Sequence, residues 1–130
     1  MPSYSRKVEA LAEAITKFTG YHDPASPLHS SRNPGNILAT SPDHRKDAEG
    51  RRVFASFLDG YQSLLHDLTV KLSGRSRSGL TASSSLADLA AARQENNPPV
   101  LARQWALFLR AALNDPSLTA TTQLSYFLEQ

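Results

Sequence analysis

Cysteine is absent from the 130 residues, which rules out a disulfide framework and any thiolate metal site, so the folded state must rest on packing. No uninterrupted apolar run reaches the roughly 18 residues of a membrane-spanning helix. Charge of one sign is equally scarce as a block. Fourteen Lys and Arg stand against twelve Asp and Glu, interspersed along the chain, for a formal charge of +2. That is the pattern of a solvated surface rather than of a nucleic-acid track. No Gly-rich segment opens a helix to cradle phosphate. The serine-rich stretches at 30–31 and 83–85 lack the strand-to-helix elbow of a serine nucleophile. The four histidines, His22, His29, His44 and His66, show no close spacing such as His-x-x-x-His, so neither a metal nor another cofactor is expected. Residues 1–7 run straight into alternating charged and apolar positions without an apolar core, so no secretory signal is expected and the chain is expected to be cytoplasmic as synthesised.

What is present is a set of amphipathic helices separated by turn chemistry. At this length the prior is one domain, residues 1–130, large enough to bury a core without staples. From 8 to 18, Val8, Leu11, Ala12, Ile15 and Phe18 recur at helical spacing, with Glu9, Glu13 and Lys17 on the other face, and Gly20 ends the helix. Residues 21–36 are rich in Pro, Ser, His and Asn and read as an ordered loop; 37–40 suit a short strand. The polar stretch 41–51 reads as a hairpin or lobe loop, and 52–57 alternate as a short strand or a bend into the next helix. That helix is predicted from Asp59, acting as cap, to Leu72, with Tyr61, Leu64, Leu65 and Leu68 along it and Ser73-Gly74 as stop. A serine or threonine from 81–85 is predicted to cap a helix through Leu86, Leu89 and Ala92. Pro98-Pro99 open a further helix with Val100, Leu101, Trp105, Phe108, Leu109 and Leu113 on its apolar face, ended by 114–116, and Leu118, Leu124, Phe127 and Leu128 mark a small last helix. The expected fold is α+β, dominated by helices.

Ser31-Arg32-Asn33-Pro34-Gly35-Asn36-Ile37 carries the most information. Pro34 lacks an N–H and Gly35 invites positive φ, so this segment builds a turn that aims two carboxamides. Taken in order, Phe18-Thr19-Gly20, Arg32-Asn33-Pro34-Gly35-Asn36, Phe54 and Phe57 with Asp59-Gly60, Leu72-Ser73-Gly74, and Glu95-Asn96-Asn97 through Trp105 resemble a phage- and prophage-associated branch of the lysozyme-like superfamily, related to lytic transglycosylases. The resemblance spans residues 8–128. It implies a lysozyme-like domain with a small β lobe, cleaving the β-1,4 bonds of peptidoglycan by glycoside hydrolysis or transglycosylation, with glycan strands as partner. It also implies delivery to the wall by phage lysis or a secretion system.

The family's reaction needs a buried glutamic acid that protonates the leaving oxygen. The matching position here holds Thr19, whose hydroxyl is far too weak an acid. Asp23, or one of Asp43, Asp47 and Glu49, is placed to replace it, whereas Glu9 and Glu13 face elsewhere on the first helix. Arg32, Asn33, Asn36 and Tyr21 are the expected substrate-binding residues. Arg32 has either an acid or a saccharide carboxylate as partner, and the two carboxamides have either their own loop or a sugar. From another class, the same features suit a non-catalytic structural or protein-interaction component of a phage particle or secretion apparatus, with a partner protein in place of the glycan.

Overall fold

The structure is a computed structural model and describes residues 5–18, 21, 23, 25, 27–35, 37, 42–48, 50–72, 80–81, 83–93 and 97–128. Helix α1 (Arg6–Phe18) is followed by the single turn α2 (Pro27–Ser30), the long α3 (Phe57–Leu72), α4 (Leu86–Ala92), α5 (Pro98–Ala112) and a closing 3-10 helix (Leu124–Leu128). Helix is therefore the dominant state. Pairing between extended segments is limited, among the described residues, to two isolated bridges, Lys46 with Arg52 and Ser85 with Gln123.

Three helices, α1, α3 and α4, start where a serine hydroxyl accepts from a first-turn amide. The Ser5 hydroxyl accepts from the Val8 N–H at 3.2 Å. At α4 the capping hydroxyl expected from 81–85 is that of Ser85, which forms a reciprocal capping box with Asp88. For α3 the expectation of an Asp59 cap is corrected: Ser56 is the cap, its hydroxyl accepting from the Asp59 N–H at 3.2 Å, and the helix begins at Phe57. Asp59 instead stands in the first turn, where its charge meets the positive end of the helix. Pro98 and Pro99 sit in the first turn of α5, where a missing N–H is harmless.

Of the predicted stripe of α1, Val8, Leu11, Ala12 and Ile15 are buried, together with Ala10 and Ala14, and Phe18 packs on the core partly buried, because the helix packs against both α3 and α5. Trp105, Leu109, Leu11, Ile15, Leu64, Leu68 and Phe127 form the fully buried centre, where each large side chain contributes on the order of 1.5–3 kcal/mol. Tyr61 packs on this core half-buried. Val100, expected on the inner face of α5, is 38% exposed: in the first turn of the helix it falls outside the face that Leu101, Ala102, Trp105, Ala106 and Leu109 bury. The tail is held by backbone bonds to α4, Leu86 N–H to the Thr122 carbonyl and Leu124 N–H to that of Ser84.

The polar stretch expected as a hairpin or lobe loop folds back on itself around the antiparallel Lys46–Arg52 bridge. Val53 N–H donates to the Arg45 carbonyl and Asp47 N–H to that of Arg51, and Gly50 takes the left-handed φ of +84° that its position in the turn requires. Of the two readings of 52–57, the bend into the next helix holds: after the Lys46–Arg52 bridge the chain turns into α3. Of 37–40, only Ile37 is among the described residues, and Gly20, Ser73 and Gly74 also lie outside them.

Candidate functional site

The Arg32–Gly35 turn is a built structural element. Arg32 adopts φ +54°, its N–H donating to the His29 carbonyl at 3.2 Å. The Ser31 carbonyl accepts from the Phe54 N–H at 2.9 Å. Asn33 is completely buried. Its Nδ2 donates to the Ile37 carbonyl at 2.8 Å and to the Arg52 carbonyl at 2.9 Å, while its Oδ1 accepts from the Ile37 N–H at 2.9 Å. Both amide hydrogens are thus used. Of the two roles open to Asn33 from sequence, the backbone role holds and the sugar-contact role is corrected, because no face of the carboxamide reaches solvent.

Two further contacts seat the turn. The bare Gly60 on α3 lies against it so closely that a Cβ there would stand 2.1 Å from the Arg32 carbonyl oxygen and 2.9 Å from Pro34 Cδ. Glycine is required by that approach, not by any unusual φ. From α4 comes Arg93, whose guanidinium, with 5% of its side chain exposed, donates through Nη2 to the Gly35 carbonyl and through Nη1 to Asp67 Oδ2 at 3.4 Å. Asp67 is also gripped by Lys71 at 2.6 Å. Paired twice, this carboxylate serves to anchor Arg93 rather than to move protons.

Beside the turn runs an open groove of about 700 Å³. One wall is the outward face of α3, with Asp59, Gln62, Ser63, His66, Asp67 and Val70; the other is Ile37, His44 and the 52–55 segment. Asn33 holds the carbonyls of two groove residues, Ile37 and Arg52, while Arg93 holds a third, Asp67. The turn is therefore the backing of the groove. Carboxylate, carboxamide, hydroxyl and imidazole groups on one wall and the Arg52 guanidinium, set 4.7 Å from the Phe54 ring, on the other offer donors and acceptors to a polyhydroxylated ligand.

The sequence-predicted site residues fall mostly elsewhere. Thr19 and Asn36 lie outside the described residues, as does Glu49. Tyr21 is buried, its ring 5.1 Å from that of Phe57 and 5.4 Å from that of His29, so the Tyr21 expectation as a ligand contact is corrected to an aromatic packing role. Phe57 in turn stacks on Tyr61 at 5.6 Å. Asp23 is exposed and its Oδ1 accepts from the Ala25 N–H at 3.0 Å, an Asx turn. Arg32 is exposed at the surface of the turn. Asp43 is exposed, and Asp47 accepts from the Arg51 N–H at 3.0 Å.

A general acid of the glycosidase type requires a carboxyl shielded from water. Among the described residues the buried polar side chains are Thr16, Ser31 and Asn33, and no carboxylate is one of them. Nor do three His, Asp or Glu side chains gather there as a metal would need. Sequence reading missed Gln62, Ser63 and His66 as groove residues. Their signal was the polar recurrence 59, 62, 63, 66, 67 along α3, the complement of the apolar stripe. Comparison with protein-family models, with curated proteins and with solved structures gave no match.

Proposed function

We propose that the chain is a lysozyme-like, peptidoglycan-interacting domain that binds glycan strands and has lost the proton donor for cutting them. In this reading the 37–55 segment is the remnant of the small β lobe and α3 is the helix that opens after it. The observation that carries the reading is the use of the Arg32-Asn33-Pro34-Gly35 turn as the hydrogen-bonded backing of an open groove lined by both polar and apolar side chains. The motif order from Phe18 to Trp105 that resembles the lysozyme-like superfamily supports it, with that turn at its centre. Threonine at position 19 and the absence of a buried carboxylate among the described residues favour binding over cleavage. A strand of alternating amino sugars would lie along α3, its hydroxyl and acetamido groups meeting Gln62, Ser63 and Asp59.

The test is co-sedimentation of the purified chain with insoluble peptidoglycan, together with chromatography of released muropeptides. The expected outcome is saturable binding without release, weakened by the paired substitution Gln62→Ala and Ser63→Ala. Release by Thr19→Glu would identify position 19 as the site of the lost acid. Release by the unaltered chain, abolished by Asp23→Asn, refutes the non-cleaving reading. Failure to sediment with glycan refutes the glycan assignment and leaves a role in protein assembly.

A further inference from the structure

Away from the groove, α5 turns an unusual face outward. Between Pro98 and Ala112 the helix carries Arg103 and Arg110 and no Asp or Glu. Val100, Arg103 and Leu107 recur at intervals of three and four on its exposed side. Leu107, at 61%, exceeds every other exposed large apolar side chain among the described residues. Beside it is a second cleft of about 340 Å³, between α5 and the 119–121 segment. Ala106, Leu107 and Ala120 make it apolar, Thr119 and Thr121 add hydroxyls, and Arg103 and Arg110 bring positive charge. Arg110 is fixed there because its Nε donates to the Leu118 carbonyl at 2.6 Å, and the threonine hydroxyls are tied to each other at 2.9 Å. The cleft is thus preformed, apolar in its body, basic among its lining residues and without a lining acid.

We propose that this cleft docks an acidic segment of a partner protein that inserts one large apolar side chain beside Leu107, its flanking carboxylates meeting Arg103 and Arg110. Charge selects the occupant. A second copy packed face to face would bring four arginines together around one apolar contact, which like-charge repulsion disfavours. An acidic segment neutralises both cations while the apolar side chain leaves water. The inference is independent of the glycan reading, since it uses no groove residue.

The experiment is fluorescence anisotropy of the full chain with a fluorescein-labelled Glu-Glu-Phe-Glu-Glu peptide at low ionic strength. Saturable binding is expected, weakened about tenfold by Arg103→Glu or by replacing the probe's phenylalanine with alanine, and weakened by added salt. Leu107→Ser should weaken it too; both substituted positions are exposed, and circular dichroism checks that the variants stay folded. Equal binding of a Lys-Lys-Phe-Lys-Lys peptide overturns the proposal, as does indifference to Arg103→Glu. Concentration-dependent dimerisation in sedimentation velocity that Leu107→Ser abolishes would assign the face to a second copy. Displacement of the probe by phosphatidylglycerol vesicles, with direct binding of the chain to them, would assign it to a lipid surface. Either result replaces the acidic partner.

Discussion

Replacing Asn33 by aspartate changes one group of atoms and tests the backing of the groove directly. The side chain is fully buried, and its Nδ2 is the only atom changed in kind. With an ionised carboxylate there, the contacts at 2.8 and 2.9 Å to the Ile37 and Arg52 carbonyls turn from donor–acceptor into oxygen against oxygen. Ile37 O keeps the Arg52 N–H at 2.9 Å, whereas Arg52 O loses its described donor. A protonated carboxyl can still donate to one carbonyl and accept the Ile37 N–H, so at about pH 4 the cost is one hydrogen bond, about 1 kcal/mol. Once ionised, the buried charge faces two carbonyl dipoles, and the cost at about pH 7 rises to roughly 4 kcal/mol. The sign follows from linkage. Folding raises the affinity of the new carboxyl for its proton, so the deficit is small below the ordinary Asp range and grows as pH rises towards neutrality. Urea denaturation of Asn33→Asp and the unaltered chain across that interval, compared as a difference, gives the result. A difference near zero at neutral pH, or one that shrinks as pH rises, would mean that the carboxamide does not clamp these two carbonyls, and the groove would lose its stated backing.

Gly60→Ala should lower stability by about 2 kcal/mol, since overpacking against backbone at 2.1 Å costs near the top of the ~1–3 kcal/mol range and the helix-propensity gain returns only ~1. In a thermal melt that is a fall of roughly 6–8 °C; an unchanged or higher Tm refutes the close approach. Arg93→Met strips the donor from the buried Gly35 carbonyl and should cost about 1–3 kcal/mol while weakening glycan sedimentation, measured by urea titration and pull-down. Tyr61 donates to the Glu9 carbonyl at 3.3 Å, and burial, then the charges of Glu13 and Glu9, push its phenol up from 10.0 to about 12. The folded state therefore favours the protonated phenol: its contribution is complete below pH 10 and lost as pH climbs to about 12. Tyr61→Phe should flatten that part of the alkaline stability curve, and an unaltered alkaline slope would refute it.

Periodicity along the chain was enough to locate the longer helices, since a stripe such as Val8, Leu11, Ala12 and Ile15 declares a buried face whatever it packs on, but not the single turn α2, which lies in a stretch read as loop. Turn chemistry likewise placed a break at Pro34-Gly35 and a hydroxyl cap within 81–85, although the positive φ expected of Gly35 falls on Arg32 and the choice of Ser85 was made by the structure. What tertiary structure decided was the use made of them. Asn33 could equally face a sugar or its own loop until Ile37 and, nineteen residues on, Arg52 arrived to take its hydrogens. The extended pattern at 52–57 found a single bridge rather than a sheet, because a strand exists only where a partner edge lies alongside. Gly60 and Arg93 look like ordinary helix residues in the sequence. Their meaning came from the Arg32 and Gly35 carbonyls that the fold sets against them. Local order is written in nearest neighbours, whereas a groove is made of residues whose separation along the chain says nothing about their separation in space.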